Sequence, residues 1–557
     1  MLGILIVHNQ HDQDGHRRHF RPVAVQLPAA EESTAANTRH MPRSYSSINV
    51  ATGTTVWLPK TSNQARGLAR YAIDFLYSNP LEIGQATLDR LELFHIDSVG
   101  CGVSALALRA NAPTVLRREA LAALPPTGSK GVLCFGATRP SAVEKAVAAN
   151  TSAVREWDAN GTNFGYDDAH GRVAGEFGHN DFYPVAMAAA RLAGLDGDTT
   201  IRVMLLIDEI RGRLAEVFAL RRYAIDHVHH GAVASTVAFA AALGGTEAQI
   251  ESAIGMVVAH YVPFRAIRAG HQLSDSKGAS AGLAAETAVT SACRALSGFM
   301  GPADVFRNPL AIYRLNEPCP DGMSPFDLEL GVSGDAFAIH AMHFKMGLYE
   351  HQSAGAIAAL IDLLAAHPAL VDGSTELRGL EVKIYEPAYS IIADPAKRTP
   401  TTRQSADHSL PYILARVLLK ARTAQRLDWE ELMLLPADYS DEAIAEEAIK
   451  ILIEKISIVH GGSAYDEKYP AGIPTSIVID HPIAGLLSSG MVQYPLGHAR
   501  SAPDRTAAVL DLKFDRLVVG AVDNPKELRR RMRVAGRSVD EIAELYAFPI
   551  HGCDPGT

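Results

Sequence analysis

From Thr61 to about Ala336 the chain repeats apolar residues at three- and four-residue spacing almost without a break. That is the period of helices with a buried stripe. The repeating residues are mostly Ala, Val and Leu with Gly interspersed, as in ASTVAFAAALGG, EAQIESAIGMVVAHY and SAGLAAETAVTSACRALSGFM. Small side chains let helix axes approach closely, so the expected fold class is mainly α, a large all-helical domain. With 557 residues, 47% hydrophobic and 20% charged, the chain has ample material for a core. A formal net charge of −10 gives no electrostatic case for nucleic acid, and an anionic ligand would need locally placed Arg, Lys and His. The five cysteines are scattered without a CxxC pair, which excludes a zinc ribbon and an iron–sulfur ligand run. No uninterrupted apolar run approaches the ~18 residues of a membrane span.

The pattern changes near Phe337. FAIHAMHFKM, LRGLEVKIYEPAYSIIA, KISIVHGG, TSIVIDHP and GMVQYP are β-branched runs bounded by Gly, Pro and Asp, which is how strands read. HQSAGAIAALIDLLAAHP and SLPYILARVLLKA between them are helical, making residues 337–495 an α+β segment. After Pro495 the helical pattern returns, so residues 496–557 are expected to rejoin the first helical part (residues 64–336), with the α+β part inserted. Residues 1–63 read as an N-terminal extension. RSYSS at Arg43–Ser47 looks like a mitochondrial processing site, whereas Asp12, Asp14, Glu31 and Glu32 are poor company for an acid-poor transit peptide. A mitochondrial location is the expectation, with a cytoplasmic one as the alternative.

One stretch abandons helical pattern altogether. Glu156–Pro184 (EWDANGTNFGYDDAHGRVAGEFGHNDFYP) is a Gly-, Asn-, Asp- and His-rich interruption between Ala-rich helices. Loops that long inside a compact domain are uncommon and usually functional. This one carries Asp158, Asp167, Asp168, Glu176, Asp181, His170 and His179, the side chains of proton transfer. Other polar islands follow. His227, His229 and His230 sit just before an Ala-rich helix, either as bases kept neutral by the helix terminus or as part of a polar loop. Arg268, His271, Asp275 and Lys277 precede another helix, a carboxylate site or an ordinary capped start. Lys345, the pair Asp407 and His408, and Arg500 lie at further element boundaries. Nucleophile elbow, P-loop and dinucleotide fingerprints are absent. Together the islands point to a cofactor-free site rich in His, Lys and Asp, with no metal expected.

These islands, taken in chain order, resemble the MmgE/PrpD family and its 2-methylcitrate dehydratase branch. DSVGCG (Asp97–Gly102) resembles the family's second-helix motif, WDANGT (Trp157–Thr162) its D-F-N/D-D-T motif, and GEFGH (Gly175–His179) the following E-W-G-H. IDHVHHGAVAST, DSKGASAG and FKMGLYEHQSAGA resemble its D-H-V helix start, its lysine turn and its F-K stretch. ADHSLPY and YPLGHAR are the most distinctive. The resemblance implies catalytic roles for Asp158, His179 and His227, and substrate-binding roles for Thr162, Lys277, Lys345 and Arg500. It further implies an α+β lid over a helical domain, a homodimer and no iron–sulfur cluster. Gly161 departs from the pattern, standing where the family usually has Asp, so that carboxylate's role is lost or passes to Asp167 or Asp168. The expected chemistry is elimination of water from a tricarboxylate such as 2-methylcitrate, with His179 and His227 sharing the base and acid roles and lysines stabilising the carbanion-like charge. Decarboxylation of cis-aconitate, or dehydration of a longer 2-alkylcitrate in secondary metabolism, would use the same cationic clamp.

Overall fold

A computed structural model describes residues 54–554 apart from 79–81, 164–165, 168–171, 174–176, 269–272 and 372–375. The possible processing site at Arg43–Ser47 and the loop residues Asp168, His170 and Glu176 lie outside the described residues, as does His271.

The fold is mainly α, as the apolar spacing predicts. Its centre is the helix Val228–Ala242, in which every residue is buried. A helix apolar all round has no face for water and must be wrapped by others. The helices Gly197–Val217, Glu247–His260 and Ser276–Leu296 provide that wrapping. The last of these also lies along Val143–Arg155. Small residues set the spacing there: a Cβ added at Gly282 would come within 2.5 Å of the Ala148 carbonyl oxygen. Pro184 sits in the first turn of Tyr183–Ala193, where its missing N–H costs nothing, and that helix stops at Gly194 with φ 69°.

The α+β segment holds a four-stranded sheet in the order Gly485–Val492, Thr475–His481, Gly379–Ile384, Ile456–His460, parallel only in its last pair. Thr475–His481 alternates buried with half-buried residues, so one face meets the core. The helix Ala354–Ala366 covers that face. The C-terminal helix Pro503–Val518 then packs back on Gln85–Ala107, where Gly100 leaves room for the Phe514 ring (a Cβ there would meet Cδ2 at 2.7 Å). This contact lies between the expected C-terminal and first helical segments.

Two expectations need correcting. Thr55–Leu58 lies ahead of the boundary placed at residue 64, yet it forms an antiparallel strand pair with Leu328–Gly331 and belongs to the fold. FAIHAMHFKM does not form an extended strand. Ala338–Ala341 is a 3-10 turn, and only Met342–His343 pairs, with Thr162–Asn163 of the long loop. The reason lies in the backbone partners: the Phe344 N–H donates to the Gly497 carbonyl at 2.9 Å, and the Lys345 carbonyl accepts from a lysine, so no ladder can continue.

Candidate active site

The long loop begins where the helix Val143–Arg155 ends, and its first turn is unusual. Asp158 has φ 48°, a left-handed conformation that costs most non-glycine residues about 1–2 kcal/mol and that Asp and Asn adopt at a smaller cost. The turn places its carboxylate, buried to 2% exposure, among three cationic donors and an imidazole. Lys345 Nζ contacts Oδ1 closely, Lys277 Nζ lies 3.0 Å from Oδ2, Arg155 Nη1 3.2 Å from Oδ1, and His408 Nε2 3.3 Å from Oδ2. Burial alone would raise this carboxyl, but Lys277, Lys345 and Arg155 hold it well below its ordinary value.

A second carboxylate completes the cluster. Asp407 accepts from Lys277 Nζ at 3.1 Å and from Arg403 Nη1 at 3.2 Å, and contacts His408 Nδ1. Burial tends to raise it as well, yet Lys277 and His408 keep it low. Lys277 is fully buried between the two acids; burial lowers its ammonium while Asp158 and Asp407 pull the other way. His408 lies between the same carboxylates. Burial, reinforced by Lys277, brings it down to about 4, so the ring is neutral at pH 7. Donor atoms of Asp158, Asp407 and His408 lie within 4.8 Å of one another, a spacing a metal ion can bridge. Here the ammonium groups of Lys277 and Lys345 supply the counter-charge.

His227 lies in a cationic frame. Arg211 Nη2 is 3.1 Å from Nδ1 and Arg268 Nη2 is 3.1 Å from Nε2, while Arg268 also pairs with Asp226. Burial lowers the imidazole well below its usual value, and the Arg268, Arg211 and Arg155 charges add to the effect against Asp226. A ring hemmed in by guanidinium groups is a poor proton acceptor. Arg211 in turn binds Asp181 at 3.0 Å, so the loop's last acid is a buried counter-ion.

These groups surround a cavity of about 450 Å³. Arg155, Arg221, Arg265, Arg268, Lys345 and Lys397 face it, against the carboxylates of Asp158, Glu350 and Asp394. His227, His408, Thr162 and Gly178 also line it, and Leu273, Ile391 and Ala396 give it an apolar strip. Four of the seven expected site residues therefore meet at one cavity: Asp158, His227, Thr162 and Lys345. Lys277 stands directly behind Asp158.

Two expected residues are placed elsewhere. His179 is fully buried and does not line the cavity; its Nδ1 is 3.4 Å from Asp208 Oδ1, and its ring packs edge-on against Phe94 with centroids 4.2 Å apart. Gly161 accounts for this position, because a Cβ there would sit 2.4 Å from His179 Nε2. The glycine that departs from the family pattern gives the imidazole its space. Arg500 is exposed and donates to the Tyr494 hydroxyl at 3.1 Å, away from the cavity lining. Conversely, His408 was not among the expected site residues, although ADHSLPY pointed to its segment. Arg155 was not expected either; it is the last residue of the helix Val143–Arg155.

In class, this is a helical protein with a charge-dense cavity suited to a multiply charged anion, with neutral imidazoles beside buried carboxylates. The chain belongs to the MmgE/PrpD family: residues 66–316 match the MmgE/PrpD N-terminal domain and residues 349–536 the MmgE/PrpD C-terminal domain. It is 25% identical over 468 residues to a 2-methylcitrate dehydratase of Salmonella typhi, covering 82% of this chain and 90% of that one. A mitochondrial 2-methylcitrate dehydratase of Yarrowia lipolytica is 23% identical over 513 residues, covering 88% of this chain and 91% of its own. A fungal alkylcitrate dehydratase is 26% identical over 319 residues, covering 55% of this chain and 58% of its own.

Proposed function

We propose that this chain is a hydro-lyase that removes water from 2-methylcitrate or a related 2-alkylcitrate, giving the cis-aconitate-type product. The observation that carries this reading is the cavity lining, six Lys and Arg against three carboxylates, with a neutral histidine held between two acids. A tricarboxylate needs such cations twice, to bind and to stabilise the charge that grows when the proton next to a carboxylate leaves.

His408 is the proposed base. On taking the proton it becomes an imidazolium between Asp407 and Asp158, whereas His227 would have to charge beside Arg211 and Arg268. Lys345 is the proposed acid, giving its proton to the departing hydroxyl, which leaves as water. Asp158 touches both His408 and Lys345, so the proton gained by one returns to the other through this carboxylate and the site resets. His227 and Arg268 hold a substrate carboxylate, Thr162 lies beside it, and Lys277 keeps Asp158 ionised. His179 supports the loop from the protein interior.

The α+β segment acts as the lid in this reading, since Lys345, Glu350, Ile391, Asp394, Lys397 and His408 all reach the cavity from it. A homodimer is proposed on the exposed apolar residues Ile483 and Leu486 at the hairpin joining the last two strands. The mitochondrial relative supports a mitochondrial location. No single described helix is long and apolar enough to cross a membrane. The test is to incubate the purified protein with a panel of 2-alkylcitrates, following enoate absorbance and CO₂ release together. Enoate without CO₂ is expected; CO₂ from cis-aconitate with no dehydration would overturn the reading.

A further inference from the structure

The DSVGCG motif and the C-terminal helix meet beneath this site at a buried ion pair. Lys513, on the helix Pro503–Val518, is fully buried. Its ammonium has three donors, and the structure gives it three acceptors. One is Asp97 Oδ1 at 2.6 Å; the other two are the backbone carbonyls of Ala159 at 2.5 Å and Lys345 at 2.8 Å. Those carbonyls are not arbitrary. Ala159 follows Asp158 directly, and Lys345 is the residue whose side chain contacts Asp158 Oδ1 and, at 3.2 Å, the Asp158 carbonyl.

We propose that Lys513, oriented by Asp97, is a positioning residue that fixes both backbone ends of the Asp158–Lys345 contact. The inference rests on the dehydratase reading above. The left-handed turn at Asp158 is strained, and such turns persist only where surrounding contacts over-determine them. Lys513 supplies that restraint from a segment more than 350 residues further along the chain. It also explains a buried cation that touches neither the cavity nor solvent. Burial raises the Asp97 carboxyl, and the Lys513 charge offsets part of that rise. A plain ion pair would leave two of the ammonium's donors for water; here both are spent on backbone carbonyls, that of Lys345 and that of the residue following Asp158.

The test is the double variant Asp97→Asn/Lys513→Met, which removes both charges so that neither is left buried alone. It is compared with Phe514→Leu, which loosens the same helix contact without touching the site. With 2-methylcitrate, the double variant is expected to melt within a few degrees of the parent and keep KM within about threefold. Its kcat should fall at least ~10-fold, because the proton return depends on the Asp158–Lys345 geometry. Phe514→Leu should lower the melting temperature and leave kcat per folded molecule unchanged. A double variant that melts like the parent and keeps its kcat within twofold overturns the proposal, and so does one whose loss lies in KM rather than in kcat. Should the double variant not fold, Lys513→Arg is read in the same way: it keeps the charge, but a planar guanidinium cannot reproduce the three-way donation. Parental kcat in Lys513→Arg overturns the proposal. Parent protein that turns over no 2-alkylcitrate contradicts the dehydratase reading instead.

Discussion

Asp158→Asn isolates the charge at the centre of the cluster while leaving its backbone alone, because Asn tolerates the left-handed conformation as Asp does. Its cost follows from what each donor keeps. Lys277 retains Asp407 at 3.1 Å, and Arg155 retains Asp181 at 3.8 Å. Among the described residues Lys345 has no other carboxylate and keeps only the Asp158 carbonyl at 3.2 Å. One buried ammonium thus loses its counter-ion, a loss of about 3–5 kcal/mol rather than several times that. Asp158→Ala should cost about 1–2 kcal/mol more, because alanine has no local hydrogen bond to offset φ 48°. The sign with pH is fixed. A carboxyl held low in the folded state stabilises fully above its unfolded value and loses that contribution as pH falls through the folded one. The gap between parent and Asp158→Asn should therefore narrow as pH drops below about 4. In turnover, cutting the path between His408 and Lys345 should lower kcat by about 10²–10⁴-fold. The assays are denaturant melts across pH and enoate absorbance with saturating 2-methylcitrate. Parental kcat in Asp158→Asn would refute the relay, and equal stability of the Asn and Ala variants would refute the strained turn.

His408→Gln should cost about 10²–10⁴-fold in kcat with little change in KM, whereas Arg268→Gln should raise KM about 10- to 100-fold, the loss of one charged hydrogen bond to the substrate; steady-state kinetics separates the two. His95, His229 and His408 are each buried and lowered to about 4 from 6.5, so the unfolded chain binds more protons in that window. Stability should therefore fall as pH drops from about 6.5 to about 4, by up to roughly 3 kcal/mol for each ring, and stay level for these groups above pH 7; melting temperature against pH reads this directly. Gly161→Ala must displace the His179 ring and should destabilise by about 1–3 kcal/mol in thermal melts. Dialysis against EDTA should leave turnover unchanged, because Lys277 and Lys345 carry the counter-charge at the Asp158–Asp407 pair.

The helices were legible because their signal is local. The apolar period alone places Gln64–Tyr77, Glu247–His260 and Ser276–Leu296 close to their observed spans, and Pro184 marks its helix start. Asp158 and His227 were legible as polar interruptions between such helices, Lys345 as a cation at the boundary of a strand-like run, and Thr162 through the family resemblance of its motif. The ranking of the histidines was not. His179 and His408 both lie in polar turns, and nothing in their spacing says which ring faces the cavity. That depends on Gly161 admitting one ring into the protein interior and on Asp407 presenting the other. Arg500 was expected to bind substrate from the family resemblance of its segment, but its guanidinium meets Tyr494 at the surface. FAIHAMHFKM alternates like a strand, and it stops pairing after two residues because its next carbonyl is taken by a lysine far along the chain.

The cluster's members arrive from separate stretches, and that arrangement ties activity to cohesion. Asp158 and Lys277 belong to the part matching the N-terminal family domain, and Asp407, His408 and Lys513 to the part matching the C-terminal one. Lys277 bridges Asp158 to Asp407, and Lys513 bridges Asp97 to the backbone beside Asp158. Every ammonium in the cluster thus joins segments that are distant in sequence. Taken singly, each part would bury charges without partners, at several kcal/mol per ion. The two parts therefore stabilise each other through the same side chains proposed to move the proton. A substitution that breaks the Lys277 bridge should consequently loosen the α+β segment and slow the chemistry together. One that shortens the apolar strip at Ile391 should change which 2-alkylcitrate is preferred and leave the melting temperature close to parental.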